Sequence, residues 1–91
     1  MLVIAQHQIS DPETFWATAK NVGSVMPPDF KLHSVFPSQD LRTGVCIWEG
    51  PSAGEVQKFI DEAVGNVSKN FCYEVNVAAA VGVPEMQAAL A

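Results

Sequence analysis

The chain has 91 residues, with 48% hydrophobic and 16% charged residues. That length excludes a second independent core, and that composition excludes a disordered chain. Ten acidic residues against five basic ones give a net charge of −5, which argues against a nucleic-acid or anionic-membrane surface, since both need a basic face.

A chain this short buries only about 60–65% of its unfolded surface. The low charge fraction therefore points to more covered surface than a small monomer covers alone. No apolar run reaches the roughly 20 residues of a membrane span. The opening Met1-Leu2-Val3-Ile4-Ala5 has no basic stretch and no small-residue cleavage site. The expectation is a cytoplasmic protein without a secretory signal. Cys46 and Cys72 are too few for a disulfide scaffold, and no CxxC or Cys/His cluster of zinc type occurs. They read as small buried hydrophobes with free thiols.

Residues 1–9 read as a strand, apolar from Leu2 to Ala5 and polar from Gln6 to Gln8. Ser10 and Glu13 have capping-box spacing, and Pro12 fits a first helical turn. Phe15, Ala19, Val22 and Met26 then recur at helical spacing, with Trp16 beside them. Gly23 and Pro27-Pro28 end that helix, predicted over 12–25. Residues 30–36 read as a second strand and 43–49 as a third, joined by the turn chemistry of Pro37-Ser38-Gln39-Asp40. Ser52 and Glu55 form another capping box. Val56, Phe59, Ile60, Ala63 and Val64 follow in the clearest amphipathic pattern of the chain, with Gly65 as its C-cap. Residues 70–81 read as a last strand, with Phe71, Tyr73, Val75 and Val77 alternating against polar positions. After Pro84, Met86 and Leu90 lie four apart, as in a short helix.

The order is βαββαβ, an α+β ferredoxin-like arrangement. It predicts a four-stranded antiparallel sheet in the order 4-1-3-2 with two helices on one face. The central strands, one and three, are apolar on both sides. Helices cover one side only, so something else covers the other. A second copy related by a two-fold axis is the simplest cover, and the expected partner is a homodimer. In this order, one strand separates Cys46 from Cys72, too far for a disulfide.

Over about 80 residues this element order, with Val3-Ile4-Ala5, Asp11-Pro12-Glu13 and Phe15, resembles the dimeric α/β-barrel superfamily of small ferredoxin-like proteins. The resemblance implies two sheets facing each other around a barrel, and it implies a cavity for a small molecule. The superfamily's small monooxygenases use such a cavity for cofactor-free oxygen chemistry on quinol-like substrates. His33-Ser34 with Cys46-Ile47-Trp48-Glu49-Gly50-Pro51-Ser52 also resembles a small group of actinobacterial nickel-binding ferredoxin-like proteins. Their ligands do not map onto this chain residue by residue.

Three functions are consistent with these features. The first is a homodimer holding a small organic molecule between its sheets, with no cofactor. The second is a cofactor-independent monooxygenase or isomerase in the same cavity, with His7 as catalytic base. The third is a divalent-metal site, with His7, His33 and Glu49, or Glu74 in place of Glu49, as candidate ligands. The candidate ligand-binding residues are His7, His33, Trp48 and Tyr73. His7 is expected to face the cavity, because the helix side is expected to be apolar. His33, mid-strand at a sheet edge, is expected to be exposed. Trp16 and Phe59 fit core packing better than a site. The absence of GxGxxG, GxxxxGK[ST], GxSxG and HExxH argues against nucleotide-cofactor, P-loop and serine-hydrolase chemistry.

Overall fold

A computed structural model describes residues 1–84. The expected helix containing Met86 and Leu90 lies outside the described residues. The elements run β1 (Leu2–Ile9), α1 (Pro12–Lys20), β2 (Lys31–Pro37), β3 (Thr43–Glu49), α2 (Ala53–Val64) and β4 (Ser68–Glu74), with a 3₁₀ turn at Val22–Ser24 after α1. The class is α+β. All strand pairs are antiparallel, and the sheet order is β2-β3-β1-β4, the predicted order counted from the other edge. This architecture is compatible with a ferredoxin-like fold.

Side chains on a strand alternate between faces. Val3, Ala5, His7 and Ile9 of β1 are buried on one face, and Gln6 and Gln8 are exposed on the other. Register puts Ala5 between Cys46 and Cys72, and Val3 opposite Trp48. Both helices pack on this face. Phe15 of α1 lies 5.2 Å from the His7 ring, and Trp16 lies against Gly44. Val56 of α2 reaches the backbone of Gly50, where a Cβ would stand 2.8 Å from its methyl. Phe59 meets Trp48 edge-on at 5.9 Å and Phe30 at 5.4 Å. The core between helices and sheet contains Val3, Ala5, Ile9, Phe15, Phe30, Cys46, Trp48, Val56, Ile60, Val64 and Val67.

Strands β1, β2 and β4 begin within two residues of the expected positions, and three further differences each have a local reason. The α1 cap is Asp11, whose carboxylate accepts from the Thr14 N–H, while the Ser10 hydroxyl donates to the Val67 carbonyl instead. The α-helix stops at Lys20, and the remaining turn tightens to 3₁₀ before Pro27. Strand β4 ends at Glu74 rather than 81. It pairs with β1, which begins at Leu2, and only Val75 still finds a partner there, donating to the Leu2 carbonyl at 2.8 Å. Asn76 then accepts from Ala79 and Ala80 and turns the chain. The Ser52 cap of α2 is as expected, accepting from the Glu55 N–H at 3.0 Å.

Among the described residues, no helix lies on the second face of the sheet. Register sets Phe36, Val45, Gln6 and Phe71 in one row across it, and Ser34, Ile47, Ile4 and Tyr73 in the next. Phe36 and Phe71 are 60% and 61% exposed. The segment 75–84 crosses one end of this face, near Leu2.

Candidate functional site

The candidate residues divide between the two faces. His7 and Trp48 lie under the helices. His33, Glu49 and Tyr73 lie on the open face.

His7 corrects the expectation that its ring faces away from the helices. Its position is set by parity with Val3 and Ala5, and parity cannot be exchanged for polarity. The imidazole is 4% exposed and is accommodated by hydrogen bonds rather than by water. Asn70 Nδ2 donates to Asp61 Oδ1 at 3.0 Å, so Asn70 Oδ1 is the acceptor. It takes the Ser68 hydroxyl at 2.9 Å and His7 Nδ1–H at 2.7 Å. That bond leaves Nε2 as the lone-pair nitrogen of a neutral ring. Cys46 Sγ sits 3.2 Å from Nε2 and donates its S–H. A chain of polar groups thus runs from the surface carboxylate of Asp61 through Asn70 and His7 to a buried thiol. Cys46 and Cys72 are both free, as the sheet order required.

Burial sets the protonation states here. It pushes the Cys46 thiol up to about 12, with Cys72 adding to the rise. It pushes Cys72 up to about 11, with Asp61 adding to it. The same desolvation lowers the His7 pKa below its ordinary 6.5, against an opposing pull from Asn70. At neutral pH, thiol and imidazole are therefore both uncharged.

The lowered value has a consequence for stability. An unfolded chain keeps the ordinary histidine value, so between the two values the unfolded state binds more protons. The contribution of His7 is complete above about pH 6.5 and is lost as pH falls through that value toward the lower folded one. Urea unfolding measured from pH 7.5 down to 5 should lose stability from this group, at no more than about 1.4 kcal/mol per pH unit. His7→Gln should show a shallower slope. Identical slopes would mean that His7 titrates alike in both states.

A cavity of about 50 Å³ lies beside this thiol, with apolar walls from Phe15, Trp16, Leu32, Phe59 and Ile60, and with His7, Cys46 and Trp48 also lining it. Trp48 is 3% exposed, and its indole N–H is buried without a hydrogen-bond acceptor among the described residues.

On the open face, His33 Nε2 meets Glu49 Oε1 at 2.9 Å, with both side chains buried. The expectation of an exposed His33 is corrected. A bulge between Leu32 and Ser34 breaks the alternation of β2 and turns His33 toward Glu49. Tyr73 lines an open pocket of about 280 Å³ with Leu2, Ile4, Ile47 and the segment 75–84.

The expected metal set does not come together, because His7 lies under the helices and the His33–Glu49 pair on the other face. Among the described residues no group of three or more His, Cys, Asp or Glu side chains is placed to hold a metal ion. Sequence reasoning missed Asn70 and treated Cys46 only as a core residue. No helix among the described residues is long and apolar enough to cross a membrane. Compared with known proteins, the chain matches no family model, and neither a curated protein nor a solved structure matches it.

Proposed function

We propose that the protein is a homodimer whose two open sheet faces meet, in the manner of a dimeric α/β barrel, and hold a small apolar organic molecule between them. The observation that carries this reading is the open face itself. Its centre is Ile4, Val45 and Ile47 with Gln6 beside them, and its edges hold the exposed rings of Phe36, Phe71 and Tyr73. Contiguous apolar surface of this kind marks an interface or a ligand site. The 280 Å³ pocket beside Tyr73 is near the size of small-molecule sites and has an apolar floor. The His33–Glu49 pair lies buried on the same face, outside the lining of that pocket. The role is binding, without a catalytic step.

Light scattering at micromolar concentration should give close to twice the monomer mass of 9.8 kDa. Val45→Asp places a charge in the middle of the open face, where Val45 is 36% exposed. It should leave the circular dichroism unchanged and reduce the mass to that of the monomer. A wild-type monomer at every concentration overturns the dimer. For the ligand, 1-naphthol is a suitable probe. It should quench Tyr and Trp emission on binding, and Tyr73→Ala should weaken it roughly three- to tenfold, the worth of one aromatic contact. Binding unaffected by that substitution overturns the pocket assignment.

A further inference from the structure

The cavity under the helices is separate from the open face, and its chemistry does not depend on the dimer. The thiol of Cys46, the imidazole of His7 and the amide of Asn70 stand in the order nucleophile, base and orienting group. Asn70 is itself held by Asp61 and Ser68, so the tautomer that makes Nε2 a proton acceptor toward sulfur is fixed from the surface inward. A merely structural histidine needs partners, but it does not need a cavity beside its thiol partner. Here both Cys46 and His7 line one.

We propose that Cys46 is a nucleophile toward small, uncharged α,β-unsaturated carbonyl compounds that enter this cavity, with His7 as its general base. The size follows from the volume. One water fills about 10–15 Å³ on this measure, so 50 Å³ admits a molecule of about three to five heavy atoms. The absence of charge follows from the walls, which are almost wholly apolar. The carbonyl follows from Trp48, a cavity-lining residue whose buried N–H has no acceptor among the described residues.

The step balances without an oxidant or a cofactor. Sγ attacks the β-carbon and forms the S–C bond, while the S–H proton passes to His7 Nε2. The π pair of the C=C bond moves to the carbonyl as an enolate. The imidazolium then returns its proton to the α-carbon. The product is a thioether with the carbonyl intact. Because burial holds the thiol near 12, little thiolate exists at neutral pH, and reaction depends on the adjacent base. Cys72 is less buried, but no imidazole bond to it is described. Among the described residues, the other titratable groups around this chain of polar groups are Cys72 on β4, which acts on Cys46, and Asp61 on α2, which holds Asn70. The α1 neighbour of His7, Phe15, does not titrate.

The experiment is limiting acrolein on the native protein, followed by intact mass and peptide mapping, with N-ethylmaleimide as a bulkier probe. Acrolein should modify Cys46 ahead of Cys72, the reverse of their order of exposure, and the maleimide should modify Cys72 first. The rate at Cys46 should be nearly flat from pH 7 to 9, since His7 is already deprotonated there. Simple thiolate chemistry would instead rise about tenfold per pH unit. His7→Gln should slow the reaction at Cys46 by about 100-fold or more. If that variant fails to fold, the wild-type pH profile decides alone. Modification of Cys72 first by acrolein, a tenfold rise per pH unit at Cys46, or an unchanged rate in folded His7→Gln would each overturn the proposal.

Discussion

Trp48→Ala should destabilise the fold by about 3–5 kcal/mol, a large share of the roughly 5–15 kcal/mol that holds a domain of this size. The ring is almost fully buried on β3 and meets Phe30 and Phe59 edge-on. Its removal joins the emptied volume to the existing 50 Å³ cavity that it lines. The two surrounding rings come from different elements, Phe30 from a loop and Phe59 from α2, so the site cannot collapse by one simple shift. Phe59→Ala should cost less, about 2–4 kcal/mol, because Phe59 is half-buried and already borders that cavity. Urea unfolding followed by circular dichroism checks both. A loss under about 1 kcal/mol for Trp48→Ala would take the indole out of the core. Trp48→Phe tests the buried N–H separately. It removes a donor that lacks an acceptor among the described residues, and that gain offsets part of the lost ring contact.

Much of the fold is legible in the sequence because its signals are local. The doubly apolar runs of β1 and β3 mark them as central, and they are. The spacing of Val56, Ile60 and Val64 marks the buried stripe of α2, and all three are buried. The site is less legible, for two reasons. For His7 the parity with Val3 and Ala5 is visible, but the polarity of imidazole argues for the opposite face. That polarity is met by Asn70 and Cys46, whose proximity depends on strand register. Register is a tertiary property, and nothing in the sequence near residue 7 records it. For His33 the obstacle is the bulge at Leu32/Ser34, which shifts the alternation by one residue and is not encoded by any glycine or proline beside it. The end of β4 is obscured for a related reason. Its apolar alternation continues to Val77, but its partner strand runs out at Leu2.

Asn70→Ala should cost about 2–3 kcal/mol, and the amount comes from one of its three side-chain bonds. Asp61 is exposed and recovers water when the amide is lost. Ser68 keeps its bond to the Val64 carbonyl at 2.9 Å. Gln57 bonds the main-chain carbonyl of residue 70 and is untouched by the substitution. His7 is different, because its Nδ1–H is buried and loses its acceptor, a penalty of about 1–3 kcal/mol for an orphaned buried donor. The small void left by the amide adds to it. A double-mutant cycle separates these contributions. With phenylalanine already at position 7, no imidazole N–H remains to be orphaned, so the further change at Asn70 should cost about 1 kcal/mol or less. A full-sized loss in the His7→Phe background would show that Asn70 supports β4 through Ser68 and Asp61. A shrunken loss would show that the amide holds the imidazole in place and that the polar chain from Asp61 to Cys46 acts as one unit.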